Sequence, residues 1–277
     1  MNEAENSMPS LTDPLLVITD LDGSLLDHHT YSWQPAAPWL AKLKANDIPI
    51  VICSSKTTAE IVTLQTQLGL VGAPFIAENG AALQLDARWP NAQVSAGGFT
   101  GKDYTALRAV MTRLREAQGY KFFGFGDVTA NEVTEWTGLS VKEAQLAKTR
   151  QASEAFIWRD TDDRLAAFAA ELAAEDLAIT EGGRFYHVMS RGSGKGAAVR
   201  WLLEQYRQHD GRHWQTLGLG DGPNDQSMLD AVNYAVIIRG YSKTPVVLSS
   251  AHPSLYRTQA YGPEGWVEGL NHFITEA

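Results

Sequence analysis

The sequence predicts an α/β protein, a parallel sheet with helices on both faces, interrupted by an inserted unit of α+β character. Three observations carry this reading. Short apolar, β-branched runs recur at residues 15–19, 48–53, 75–77, 213–219 and 234–238, and such runs form buried strands. Segments of helical spacing separate them, and strands alternating with helices imply right-handed crossovers and a parallel sheet. The rhythm then breaks near residue 86 and resumes at Ser193. The expected organisation is a flexible lead-in over residues 1–13, a first core part at 14–85, an insertion at 86–188 and a second core part at 189–277.

In chain order, the run at 15–19 ends in Asp20, Asp22 and Gly23. A loop and a helix over about 35–46 follow, with Ala37, Leu40, Ala41 and Leu43 near helical spacing. The strand at 48–53 ends in Ser54, Ser55, Lys56 and Thr57. Thr57 or Thr58 caps a helix that stops at Gly69. The strand at 75–77 runs into Glu78-Asn79-Gly80-Ala81, a turn signal, with residues 82–85 pairing back as a hairpin. Within the insertion, a polar, glycine-bearing stretch at 95–101 leads to a helix at 104–118 and an aromatic strand from Lys121. Helices at 130–137 and 140–149 come next, the second opened by a Ser140/Glu143 capping box. A strand at 155–158, a helix at 162–174 and strands at 177–180 and 185–189 close the unit. The first rhythm returns with a helix from Gly194 to about Gln208, the strand at 213–219, a helix at 226–231, the strand at 234–238 and a last helix ending at Phe273.

Composition narrows the function. The 277-residue chain is 44% hydrophobic and 20% charged, with a formal net charge of −9, which disfavours nucleic acid and anionic membrane surfaces as partners. Any anionic substrate must then be met by local Lys and Arg. Cys53 is the only cysteine, so an internal disulfide is excluded and a cytoplasmic setting is expected. The N-terminal residues lack the basic and apolar regions of a secretory signal, and no apolar run approaches the roughly 20 residues of a membrane-spanning helix.

Four clusters carry chemistry, each where a strand ends or a helix begins. Asp20 and Asp22 at a buried strand end are costly unless a cation lies between them, and hard Mg²⁺ prefers such oxygen ligands. One carboxylate can attack phosphorus while the other moves protons; alone, the pair is equally a metal-binding or structural turn. Ser54 can hydrogen-bond a phosphoryl oxygen, although Ser-Ser-Lys-Thr by itself reads as a helix cap. Lys195, in Gly-Ser-Gly-Lys-Gly at a helix start, supplies a point charge beside free amide donors, without the spacing of a Walker A loop. Asp221, Asn224 and Asp225 follow another buried strand in a Gly/Pro-rich turn suited to completing a Mg²⁺ shell.

Taken together and in order, Asp20-Leu-Asp22-Gly, Ser54, Lys195 and Gly-Asp221-Gly-Pro-Asn224-Asp225 resemble the four motifs of the haloacid-dehalogenase-like phosphatases. The insertion and Glu78-Asn-Gly-Ala resemble the Cof-type branch. Cys53-Ser-Ser-Lys-Thr, Glu135-Trp-Thr-Gly-Leu-Ser140, Ile157-Trp-Arg-Asp160 and Gly182-Gly-Arg-Phe-Tyr-His187 are similar to mannosyl-3-phosphoglycerate phosphatases. The resemblance implies a Rossmann-like core with a mobile cap, and a Mg²⁺-dependent phosphatase acting through an aspartyl-phosphate on a small phosphorylated sugar acid. It implies Asp20 as nucleophile and metal ligand, and Asp22 as acid/base lending its backbone carbonyl to the metal. Asp221 is then a further ligand with Asp225 oriented nearby, and Ser54 and Lys195 hold the phosphoryl group. Ser24 stands where many relatives carry Thr. Candidates for substrate recognition are Lys56, Asn79, Arg159, Arg184, His187 and Asn224, because Arg suits a carboxylate bidentately. Against that, Arg159 and Arg184 also read as surface charges or partners of Asp160, Asp162 or Asp163, and His187 as a buried hinge residue. Competing readings are a broader sugar-phosphate or glucosyl-3-phosphoglycerate phosphatase, a phosphosugar mutase, a phospho-acceptor and a non-catalytic binding module.

Overall fold

Leu15–Thr19 forms the central strand, β1, and its packing explains why the run is apolar throughout. Leu15 and Val17 join one buried cluster, Leu16 and Ile18 the other, as alternation on a sheet covered on both faces requires. The computed structural model describes residues 8–90 and 101–275. Around β1 lie β2 (Ile50–Cys53), β3 (Phe75–Ala77), β4 (Ala82–Gln84), β9 (Gln215–Gly220), β10 (Tyr234–Arg239) and β11 (Leu255–Tyr261). Their order is β11-β10-β9-β1-β2-β3-β4. Every pairing is parallel except β3 with β4, which is the expected hairpin.

Helices α1 (Ala37–Ala45), α2 (Thr58–Leu68) and α9 (Gly262–Phe273) pack on one face through Trp39, Leu40, Leu43, Ile61, Trp266 and Leu270. Helices α7 (Lys195–Asp210) and α8 (Gln226–Asp230) cover the other through Val199, Leu202, Met228 and Leu229. Thr57, not Thr58, caps α2, in a capping box with Glu60, and Gly69 ends that helix at φ 68°.

The second sheet lies wholly within residues 122–190. Its order is β5 (Phe122–Gly124), β6 (Ser153–Trp158), β8 (Tyr186–Ser190), β7 (Leu177–Glu181), all antiparallel. Helices α3 (Tyr104–Gln118) and α6 (Asp162–Ala174) bury Leu107, Met111, Phe168 and Leu172 against one face, on Phe122, Phe156 and Val188. On the other side, α4 (Ala130–Thr137) and α5 (Val141–Lys148) gather around Phe125, Val133, Ala144 and Ala155. The Ser140/Glu143 capping box forms as predicted.

Three expectations change. β11 has no counterpart in the sequence reading, because an edge strand reading Leu-Tyr-Arg-Thr-Gln-Ala-Tyr is only partly buried and offers no apolar run. Residues 9–13, expected to be a flexible lead-in, are tied to the C-terminal end: Ser10 bridges Thr275, and the Thr275 amide donates to Pro9 O at 3.0 Å. The helix expected from residue 35 opens as a 3₁₀ turn over Gln34–Ala36 before α1 begins. The polar stretch predicted at 95–101 falls, up to residue 100, outside the described residues. Among the described residues, no helix is long and apolar enough to cross a membrane.

Candidate active site

The carboxyl ends of β1, β2 and β9 meet at one edge of the large sheet, where α/β folds gather ligands. Each strand delivers its predicted residue there by register alone. Val17 pairs with Ile50 and Leu217, and Thr19 with Ile52 and Leu219, so Asp20, Ser54 and Asp221 emerge side by side. The Asp20 amide donates to Leu219 O at 2.9 Å. Beneath it, the fully buried Trp266 donates from Nε1 to Thr19 Oγ1 at 2.9 Å, and Thr19 donates to Asp20 O at 2.6 Å. Trp266 thus props the strand end from below, a role its place in the tail gave no sign of.

Lys195 is the hub. It opens α7, is 1% exposed, and places Nζ 3.0 Å from Asp20 Oδ1 and 2.6 Å from Asp225 Oδ1. Asp225, fully buried, turns its other oxygen back on the loop, accepting from the Asp221 and Gly222 amides at 2.9 and 3.0 Å. Oxygens of Asp20, Asp221 and Asp225 lie within 4.8 Å of one another. Burial, with Asp225 and Asp22 nearby, outweighs Lys195 and lifts Asp20 to about 7. Asp221 is pushed well above the usual carboxylate range by burial and by Asp20 and Asp225. Burial alone would lower the Lys195 ammonium, but Asp20 and Asp225 hold it above its ordinary value.

One ammonium therefore faces three carboxylates. This surplus of hard oxygen donors fits a divalent cation of the Mg²⁺ type, and Asp22 Oδ1 is a further buried oxygen with no hydrogen-bond partner among the described residues. The backbone is shaped to match. Gly23 sits at φ 80°, and a Cβ there would come within 2.3 Å of Asp221 Oδ2, so only glycine lets the two loops approach this closely. The Asp22 carboxylate itself stands apart from the cluster of three. Its Oδ2 lies 3.1 Å from Lys56 Nζ, which also faces Glu60 at 3.7 Å and the Tyr31 ring at 5.5 Å.

Above this edge lies a small cavity of about 80 Å³, walled below by Asp20, Asp22, Ser54, Lys56 and Asp221, and above by Phe125, Arg150, Arg184, Phe185 and His187. Of the predicted recognition residues, Lys56, Arg184, His187 and Asn224 line it. Asn79 sits behind the wall, accepting from Asn224 Nδ2 at 3.0 Å. Arg159 does not line it; it is exposed, just past the outer end of β6. Arg184 reaches across, donating to Thr137 O at 3.0 Å and to His28 O, with its guanidinium over the Tyr31 ring. Burial, aided by Arg150 and Lys195, holds His187 well below the ordinary imidazole value. Arg150, Tyr31, His28 and Phe125 complete the walls without having been predicted, since nothing in their local sequence distinguishes them from scaffold. A larger recess of about 800 Å³ opens at the opposite end of the sheet, between Ile48, Trp89 and Trp214. It holds none of the clustered acids or Lys195.

The fold and this edge define a class: a parallel α/β core whose strand ends carry buried carboxylates and one lysine, roofed by an inserted α+β unit. Two family models match the chain, one described as haloacid dehalogenase-like hydrolase over residues 17–95, the other as sucrose-6F-phosphate phosphohydrolase over residues 158–274. Over residues 17–95 the chain is thus similar to the haloacid dehalogenase-like hydrolase superfamily. Among solved structures, it is similar to the sucrose-phosphatase of Synechocystis sp. PCC6803 in complex with sucrose and phosphate. That match has a TM-score of 0.63 at 17% identity, covering 94% of this chain and 98% of that one. A phosphatase of this superfamily from Bacteroides thetaiotaomicron aligns with a TM-score of 0.66 at 18% identity, covering 99% and 97%. A Thermoplasma acidophilum protein aligns at 0.66 and 17%, covering 96% and 98%. At these identities the likeness is one of fold.

Proposed function

We propose that this chain is a Mg²⁺-dependent phosphatase of phosphorylated sugars, working through an aspartyl-phosphate, with residues 86–188 acting as a cap over the site. The observation that carries the reading is the edge where Asp20, Lys195, Asp221 and Asp225 converge, fully built and short of positive charge. An oxygen of Asp20 attacks phosphorus as the ester bond to the sugar breaks, and Asp22 protonates the departing oxygen. Asp22 then takes a proton from water, which attacks phosphorus, frees inorganic phosphate and restores Asp20. Ser54 and Lys195 hold the phosphoryl oxygens through the transfer. Asp20, Asp221 and the Asp22 backbone carbonyl would hold the metal, with Asp225 fixing the loop behind them. Bound there, the cation neutralises charge on the phosphoryl oxygens.

For the substrate, we propose mannosyl-3-phosphoglycerate, on the strength of the motifs around Trp136, Arg159 and Arg184. The wider class of sugar phosphates is favoured by a different observation, since Arg150 and Arg184 already spend their donors on backbone carbonyls and the upper wall is aromatic. The family model matching residues 158–274 also supports a sugar phosphate. Phosphate release from a panel of mannosyl- and glucosyl-3-phosphoglycerate, sucrose 6-phosphate and simple hexose phosphates decides between them. A preference for the mannosyl ester of at least ~10-fold in kcat/KM is expected. Equal turnover of all the sugars would retire the narrow substrate but keep the phosphatase, and no release from any would overturn both.

A further inference from the structure

The turn at Glu78 is built into the site without belonging to its chemistry. Glu78 and Asn79 both hold left-handed backbone, at φ 48° and 57°, and Gly80 lies at φ 102°, conformations that cost side-chain-bearing residues free energy. The turn is held from below by the loop after β2: the Glu78 amide donates to Lys56 O and the Asn79 amide to Ser54 O, both at 2.9 Å. A Cβ on Gly80 would lie 2.4 Å from Gly194 O, beside Lys195.

Among the described residues, every side-chain partner of Glu78 comes from the other unit. Its fully buried carboxylate accepts from the amides of Gln151 and Ala152 at 2.9 and 3.3 Å and from Ser153 Oγ at 2.7 Å. These residues connect α5 to β6 within the inserted unit, at the base of the roof strand. Arg150 answers in the opposite direction. Its guanidinium bonds Ala147 O, Ser153 O and Ser153 Oγ on its own side, and Ser55 O of the core at 3.2 Å. Arg150 Nε and Glu78 Oε1 are 3.8 Å apart, with both side chains almost completely buried. A buried charge with so many partners is strongly coupled to their positions, because removing one side leaves the other uncompensated.

We infer that Glu78 and Arg150 form a pivot that couples the α5–β6 connection of the inserted unit to the loop carrying Ser54 and Lys56, making Glu78 a positioning residue for the phosphoryl-holding groups. Movement of the connection at 150–153 is then felt at Ser54 through Glu78 and the Ser55 carbonyl. The structural half of this inference stands without the phosphatase reading; only its kinetic half rests on it.

Amide hydrogen exchange tests the structural half on the full chain. Glu78→Gln replaces an acceptor of three donors with an amide that can accept at only one atom. Exchange is expected to rise ~10-fold or more both at residues 150–153 and at 54–57, if the two segments open as one unit. Faster exchange at 150–153 alone, or at neither segment, would overturn the pivot. Should Glu78→Gln fail to fold, Ser153→Ala removes the hydroxyl that bonds both Glu78 and Arg150 and leaves both charges; the same coupled rise, smaller in size, is expected. For the kinetic half, p-nitrophenyl phosphate serves as a probe. Glu78→Gln is expected to lower kcat by ~10-fold with KM changed less than ~3-fold, and Glu78→Asp to recover part of it, as for misplaced catalytic groups. Coupled exchange with unchanged kcat would remove Glu78 from catalysis, and wild-type inactivity on every phosphate ester would instead count against the phosphatase reading alone.

Discussion

The cavity has a floor and a roof that are charged in different ways. On the floor, Asp20, Asp225 and Lys195 face one another, and Asp221 joins them with no counter-charge of its own. On the roof, Arg184 bonds main-chain carbonyls, Arg150 bonds carbonyls and Ser153 Oγ beside the buried Glu78, and burial holds His187 well below the ordinary imidazole value. Buried charges that face each other are set up for reaction and cannot be altered singly without loss. Arginines on carbonyls hold segments together, so their loss changes how the roof sits on the floor. On the proposed function, the floor would carry the chemistry, and the roof would set access and closure.

The largest effects are expected from the floor. Asp20→Asn keeps the volume and removes the attacking oxygen, so turnover should fall by roughly 10³-fold or more with the fold intact by circular dichroism. Near-normal phosphate release by this variant would end the nucleophile assignment. Lys195→Met is expected to lose activity and to cost about 3–5 kcal/mol of stability, since Asp20 and Asp225 then share a buried site with no cation. The check is chemical denaturation with and without Mg²⁺, and restoration of part of the loss by the metal would tie the acids to a cation.

How much of this was readable in advance divides along the same line. Every floor residue follows a buried strand or opens a helix, and its neighbours in sequence (Gly23 after Asp22, Gly194 before Lys195) announce the backbone it needs. Strand register did the rest, bringing together positions as distant as Asp20 and Asp221. The roof could not be read so. Arg150 follows an ordinary helix, and Tyr31 lies in a loop. They become wall residues only because the inserted unit folds back over the core, and no local pattern records that. The polar strand β11 was hidden because it offers no apolar run, and the support of Asp20 by Trp266 through Thr19 because it joins positions far apart in the chain.

Effects from the roof should be smaller and of another kind. Arg184→Ala cuts the bond to His28 O that joins the roof to the core loop, and with it the bond to Thr137 O within the roof. A closed state populated less often weakens apparent affinity in proportion, so KM should rise ~10-fold while kcat stays within ~3-fold. A fall in kcat with KM unchanged would place Arg184 among the chemical groups instead. His187 gives a pH signature. Its folded pKa lies well below 6.5, so the unfolded chain binds the proton more readily, and stability from this residue is present above 6.5 and is lost as pH falls toward the folded value. Thermal melts of His187→Gln should show a flatter decline below that pH than the wild type; parallel curves would mean the imidazole titrates freely.

Arg159→Ala should do least, and for a reason that sharpens the division within the roof itself. β6 begins at Ser153, against Glu78, and ends at Trp158. At about 3.3 Å per residue, Arg159 stands some 20 Å along the strand from that base. It is exposed, and its amide is bonded to Lys121 O at the far edge of the cap sheet. Stability within about 0.5 kcal/mol of wild type is expected for such a surface change, with KM for the preferred sugar phosphate moved less than ~2-fold. A KM increase larger than that of Arg184→Ala would reverse the assignment. The substrate would then extend outward along β6, and the recognising surface would be the outer end of that strand rather than the wall beside the phosphate.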